Sequence, residues 1–198
     1  MRGQLRPALL VLILFTIITG VLYPLTVTGL AQLLFPVQAN GSILERAGTP
    51  VGSVLVGQSF TARGYFWGRP SGTRDNPYNA AASGGENAGP NNPEMLGAAK
   101  ARMAALRAAD PGNTARVPVD LVAGSGSGLD PEISPAAALY QAGRVARARG
   151  LPEARVRALI ERYTRGRAAG VLGEPGVNVL MLNLALDSVR PPTAAPAP

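Results

Sequence analysis

The chain has 198 residues and a formal net charge of +7, with no Cys, no His and 19 basic residues, of which only Lys100 is a lysine. Lacking His and Cys, it can assemble neither a Ser-His-Asp nor a Cys-His nucleophile, nor the usual zinc-ligand sets. One lysine, in LGAAKAR, leaves no G-x-x-x-x-G-K-[ST] phosphate loop and no S-x-x-K motif.

The Asp-Lys-Thr-Gly phosphorylation sequence is absent as well, so phosphoryl transfer belongs to another chain. No catalytic residue and no metal ligand set is expected. The basic charge invites a nucleic-acid reading, but 5% aromatic residues is thin for base-stacking platforms. No nucleic-acid partner is expected.

From Arg6 to Glu45 there is no charged residue, and Leu9 to Phe35 is dominated by apolar side chains. A spanning helix needs about 20 such residues. Leu9 to Thr28 alone contains 13 Leu, Ile, Val or Phe residues, which favour insertion by roughly 4 to 8 kcal/mol. Pro24 reads as a kink in this helix. Val37-Gln38-Ala39 resembles a signal cleavage site, but the apolar run is about twice the 7 to 15 residues of a signal, so an uncleaved anchor is expected. Arg2 and Arg6 place the N-terminus in the cytoplasm by the positive-inside rule. The expected organisation is a cytoplasmic N-terminus at 1–7, a transmembrane helix at 8–36, an extracytoplasmic domain at 37–189 and a disordered tail at 190–198. The expected location is the plasma (inner) membrane, in a single pass.

Ser42–Arg46 and Val51–Val56 read as a hairpin joined by Ala47–Pro50. The aromatic cluster Tyr65, Phe66, Trp67 reads as core. Ser71–Pro93, SGTRDNPYNAAASGGENAGPNNP, is too rich in Gly, Asn, Pro and Ser for a regular element. A helix is expected over Pro93–Ala109, and a short strand over Val117–Val122. Ser134 as N-cap with Pro135 at the first helical position starts a helix that Gly150 stops. A second helix is expected from Pro152 to Gly166, carrying Glu153–Arg157 and Glu161–Arg165 pairs at i,i+4. Val177–Val189 reads as strand or helix, with Asn178 as a cap favouring helix. The fold class is α+β: one N-terminal transmembrane helix followed by a single mixed α/β domain. The densely basic stretch Arg144–Arg167 reads as a solvated helix face, with contact to membrane lipid or an acidic partner as the alternative.

The segments VGQSF, YFWGRPS, NPYNAAASGGENAGPNNP, VPVDLVAGSGSGLDPEISPAAALYQAGRVARARGL and GEPGVNVLMLNLALD resemble, in order and over nearly the whole domain, the C subunit of the Kdp-type potassium-transporting ATPases. That resemblance implies a non-catalytic accessory subunit of a high-affinity potassium uptake complex. Its implied partners are a channel-like potassium-binding subunit and a P-type ATPase subunit. It also implies no cofactor of its own, with ATP entering only through a proposed nucleotide loop, Ser83-Gly84-Gly85, and Gln141 as its companion. Backbone N–H groups of a glycine loop can cradle phosphate. Against that, Glu86 follows the loop at once and ATP is cytoplasmic, so the competing expectation is a glycine turn packed closely against the channel-like subunit.

Glu86, Asp130 and Glu132 are candidates for concentrating cations, with helix capping as the alternative. A different class of function, a membrane-anchored extracytoplasmic hydrolase, would rest on Asp120 and Asp130 as acid and base. A third, an anionic-surface binding module, would rest on Arg144–Arg167.

Overall fold

The uncharged run near the N-terminus folds as helix from Gly3 to Leu34, 32 residues with a mean hydropathy of 2.5 over its most apolar window. At 1.5 Å per residue this is about 48 Å, well beyond a hydrocarbon core of roughly 30 Å. The computed structural model describes residues Arg2–Val189, and the tail expected at 190–198 lies outside the described residues. The chain divides into two units, one ending at Val51 and one starting at Gly52.

In the first unit the long helix consists of α1 (Arg2–Ile17), a π turn (Ile18–Leu22) and α2 (Tyr23–Leu34). Pro24 has no N–H to offer the preceding turn. The helix widens just before it, the Tyr23 N–H donating to Ile18 O, while the Thr19 hydroxyl donates to Phe15 O at 2.6 Å. A single turn, α3 (Pro36–Ala39), leads to the hairpin of β1 (Ile43–Arg46) and β2 (Thr49–Ser53). Its turn is tighter than the expected four-residue link. Only Ala47 and Gly48 lie between the strands, both at positive φ (51° and 76°), as a type I′ turn requires.

Among the described residues the second unit holds four α-helices and one small three-stranded sheet. α4 (Pro93–Ala109) starts at Asn92, whose Oδ1 accepts from the Glu94 and Met95 N–H groups at 2.9 and 3.1 Å. α5 (Pro135–Arg149) is capped by Ser134 Oγ, which accepts from the Ala137 N–H at 3.0 Å, and ends at Gly150 with φ 59°. α6 (Glu153–Arg162) follows. β3 (Glu132–Ile133), β4 (Thr164–Arg165) and β5 (Gly176–Asn178) form an antiparallel sheet in the order β3-β5-β4, Ile133 and Thr164 both facing Val177. α7 (Val179–Val189) follows β5 directly. Asn178 Oδ1 accepts from the Met181 N–H at 3.0 Å, so the segment read as strand or helix is one and then the other.

Two expectations are corrected. Val117–Val122 holds no strand but a 3-10 turn at Val119–Leu121, whose flanking N–H groups turn back on Pro118 O and Val119 O. Pro118 has no N–H for a neighbouring strand, and the Asp120 carboxylate is drawn to Ser134. The second helix stops at Arg162, not Gly166, because Thr164 and Arg165 pair with β5. Glu153–Arg157 forms as expected at 2.6 Å, whereas Arg165 pairs with Glu132.

The core lies where α5, α6 and α7 meet. Ala138, Ala142 and Ala146 recur every four residues on α5 and are buried with Val156 and Ile160 of α6 and Leu182 and Leu186 of α7. Phe66 and Trp67 are buried in the same cluster and Tyr65 is half-buried, as the core assignment requires. Burying a side chain such as Phe66 stabilises the fold by about 1.5–3 kcal/mol.

Candidate functional site

The segment Arg63–Trp67 leaves a turn at Arg63 and Gly64, closed by the Tyr65 N–H on Ala62 O, and runs on outside any strand, so side chains take the role of a strand partner. Asn183 of α7 accepts from the Phe66 N–H at 2.8 Å and donates to Phe66 O at 3.0 Å. Gln141 of α5 does the same for Trp67, at 2.9 and 3.1 Å. Arg144 donates to Arg63 O and Tyr65 O, and Arg149 to Gly64 O. Each amide side chain imitates a strand neighbour, so the buried backbone groups are satisfied.

Arg144 and Arg149 therefore correct the reading of Arg144–Arg167 as a solvated face. Arg149 is fully buried, pairs with Asp187 at 2.9 Å and lies over the Tyr65 ring at 4.7 Å. Arg144 stacks on Trp67 at 4.7 Å, with Arg102 over the same ring at 5.2 Å. Burial pushes the Arg144 guanidinium down to about 10. The remaining arginines of the stretch are exposed or half-paired, as at Arg147 with buried Asp110.

Ser83, Gly84 and Gly85 are held in a clasp with the second glycine-rich loop. The Gly84 N–H and the Ser83 hydroxyl both donate to Ser127 O, at 2.9 and 3.1 Å. Opposite them, the Ser71 hydroxyl donates to Gly128 O at 2.7 Å. A Cβ on Gly85 would lie 2.8 Å from Gly126 O, and one on Gly128, at φ 67°, would lie 2.5 Å from Gly84 O. The loop thus makes a close backbone approach within the chain itself. Gln141 shares no hydrogen-bond partner with the loop, because both ends of its amide are occupied by Trp67.

The acidic candidates are likewise placed. Asp120 accepts from the Ser134 N–H at 2.6 Å and from the Ser134 hydroxyl at 3.2 Å, so the carboxylate at the start of α5 is Asp120, not Asp130 or Glu132. Asp130 accepts from Arg69 at 2.9 Å and from the Glu132 N–H at 2.9 Å. Glu132 takes both arms of Arg165, at 2.7 and 3.0 Å, a hydrogen bond that raises the Arg165 guanidinium above its usual value. Glu86 is exposed, beside Gly72 and Gly124. Asp120, Asp130 and Glu132 do line one cavity of about 450 Å³ with Arg69 and Arg165. Two of these carboxylates carry an arginine counter-charge, which cancels most of their pull on a free cation. Among the described residues no three acidic, His or Cys side chains are grouped to hold a metal ion.

Sequence reasoning missed the arginine partners Arg69 and Arg165, and the exposed Leu55, Val171 and Leu172. The first pair lies 61 and 33 residues from its acids along the chain, beyond any local spacing rule.

Comparison with known proteins decides the family. Residues 5–188 match the family described as K+-transporting ATPase, c chain. The chain belongs to this family. It is 62% identical to the potassium-transporting ATPase KdpC subunit of Polaromonas naphthalenivorans, over 98% of this chain and 99% of that one. Its identity to the KdpC subunit of Methylibium petroleiphilum is 63%, over 96% and 100%. To that of Herpetosiphon aurantiacus it is 58%, over 96% and 98%. The resemblance carried by the glycine-rich and aromatic segments holds over the whole length. A c chain with one N-terminal helix long and apolar enough to cross a bilayer is a membrane-anchored subunit of the potassium-transporting ATPase.

Proposed function

We propose that this c chain is a non-catalytic accessory subunit that stabilises the assembly of a potassium uptake complex. Its helix over Gly3–Leu34 anchors it in the plasma membrane, with the N-terminus cytoplasmic and the domain outside. There it docks on the channel-like potassium-binding subunit and supports the P-type ATPase subunit. The observation that carries this proposal is the state of the chain's own chemistry: each carboxylate the sequence offered for acid or base work is engaged in holding the fold. Asp120 holds the start of α5, and Asp130 holds Arg69. An acid/base pair needs a carboxyl group free to exchange a proton with substrate, so the hydrolase alternative with Asp120 and Asp130 is disfavoured.

The same holds for ATP. The backbone of Ser83-Gly84-Gly85 faces a second loop of this chain, and Gln141 faces Trp67. In our reading these residues shape the domain and do not cradle phosphate. Affinity purification of the tagged full-length chain from mild detergent tests the proposal. Recovery of two larger membrane subunits in a fixed ratio is expected, and recovery of the chain alone from cells that express all three would overturn it.

A further inference from the structure

A cavity of about 180 Å³ lies between the segment Ser59–Ser71, the turn at Pro77 and Tyr78, and α4, which contributes Arg102. Its lining sets it apart by charge. Four other cavities in the second unit each include at least one carboxylate. This one holds two guanidinium groups, Arg69 and Arg102, with the hydroxyls of Ser59, Thr61, Ser71 and Tyr78, and no acid. Ser59 and Thr61 are exposed and stand at its mouth, whereas both arginines and Tyr78 are half-buried.

Arg102 is held in place without a counter-charge. Its Nε donates to Leu121 O at 3.3 Å, its Nη2 donates to Gly68 O at 3.1 Å, and its guanidinium lies over the Trp67 ring at 5.2 Å. Among the described residues no carboxylate pairs with it, and its Nη1 has no hydrogen-bond partner. Burial lowers this guanidinium below its usual value, an effect that a neighbouring negative charge reverses. Arg69 donates from Nη1 to Asp130 and from Nη2 to Gly124 O, both at 2.9 Å, while its Nε is buried with no partner among the described residues. Buried donors are normally satisfied, so an orphaned one points to a missing acceptor. The Tyr78 wall is rigid. Tyr78 sits at φ 61°, an outlier for a bulky side chain, and its hydroxyl donates to Arg69 O at 2.6 Å. A Cβ on Gly57 would overlap its ring, and one on Gly68 would lie 2.8 Å from its hydroxyl. Backbone strain of this kind persists where the surroundings over-determine it, and it clusters at ligand sites.

We propose that this cavity binds one small, fully ionised oxyanion from solution, with the size and acceptor chemistry of sulfate. Guanidinium N–H groups and hydroxyls supply donors to an acceptor-only ligand, and no carboxylate in the lining repels it. At about 180 Å³ the cavity is smaller than the roughly 300–1,000 Å³ of sites for drug-sized ligands, too small for a nucleotide. The bound anion bridges Arg102 of α4 to Arg69. Through Asp130 on Arg69, and through the neighbouring Ser71 on Gly128 O, it braces the second glycine-rich loop. The site is independent of the accessory role proposed above.

Trp67 is the only tryptophan of the chain and lies under Arg102, so its emission reports the site. The full-length chain in detergent is titrated with sodium sulfate while sodium chloride holds the ionic strength constant. A saturating change in Trp67 emission is expected. Arg102→Gln should weaken the apparent affinity about tenfold or more, and Thr61→Val, at the exposed mouth, about threefold, as the loss of a charged and of a neutral hydrogen-bond partner does. Arg155→Gln, an exposed position on α6 outside the cavity, should titrate as wild type. Sulfate also favours folded chains through its exclusion from protein surfaces, but that effect neither saturates nor depends on these side chains. An emission change that does not saturate, or that saturates alike in wild type, Thr61→Val and Arg102→Gln, overturns the site. Where Arg102→Gln does not fold, Thr61→Val decides: a binding curve that superimposes on the wild type overturns the proposal, and a weakened one supports it.

Discussion

Gln141 offers the sharpest separation between a structural and a ligand-binding residue. It is 2% exposed. Its Oε1 accepts from the Trp67 N–H at 2.9 Å and from Arg144 at 2.6 Å, and its Nε2 donates to Trp67 O at 3.1 Å and Ala137 O at 3.3 Å. Gln141→Leu keeps the volume but leaves the N–H and the carbonyl of Trp67 buried and unpaired, at about 1–3 kcal/mol each. Arg144 retains the carbonyls of Arg63 and Tyr65. The expected loss is therefore about 2–6 kcal/mol, which for a unit of this size lowers the melting temperature by on the order of 10 °C. Gln141→Glu keeps the acceptor and loses only the donor, so it should fall between wild type and the leucine variant. Trp67 is the only tryptophan of the chain, and its fluorescence reports the clamp directly during a thermal melt. A leucine variant that melts with the wild type while the assembled complex loses ATP affinity would refute the clamp and restore Gln141 as a nucleotide contact.

Three further outcomes follow from the geometry. Gly128→Ala, strained at φ 67° and crowded by Gly84 O, should destabilise the domain by about 1–3 kcal/mol, whereas Gly84→Ala, which meets nothing within 4 Å, should be neutral in the same denaturant titration. Burial raises the phenols of Tyr65, Tyr78 and Tyr140 above their usual 10, with Asp187 adding to the effect at Tyr65. An acid raised in the folded state contributes stability that is whole below pH 10 and is lost as the pH climbs through the folded value. Ultraviolet titration, with each of the three replaced by Phe in turn to assign its signal, should accordingly show these tyrosinates appearing above pH 10 and together with loss of structure; a tyrosinate of Tyr65, Tyr78 or Tyr140 that forms at pH 10 in a fully folded chain would contradict the burial. A reporter fused after Asp187 should be active only outside the cytoplasm, and cytoplasmic activity would reverse the proposed orientation.

Where structure is local, the sequence revealed it. The bounds of α4 and α5 are set by Asn92, Ser134 and Gly150, each acting within one turn of its own position, and the apolar helix needs only its composition. The sheet was invisible because its strands are two or three residues long, too short for alternation to register. Val117–Val122 was misread because its β-branched residues suggest a strand, while Asp120 is committed to Ser134, 14 residues on. Arg144 and Arg149 were misread for the same kind of reason. Their burial depends on carbonyls 79 to 85 residues earlier in the chain, and nothing in the local pattern of an arginine-rich helix announces it. At the glycine loops, composition does not announce the contact that the structure shows, a backbone approach between Gly84-Gly85 and Gly126–Gly128 of the same chain, because the two loops lie about 40 residues apart.

The central claim is that this subunit assembles a pump without taking part in its chemistry. It is tested most directly by potassium-stimulated ATP hydrolysis, measured per assembled complex, with Asp120→Asn and Asp130→Asn in place of the native residues. Turnover within about twofold of wild type, a barrier change of roughly 0.4 kcal/mol, is the predicted result. A variant that assembles fully yet loses a hundredfold, on the order of 2.7 kcal/mol, would place a side chain of this subunit in the reaction.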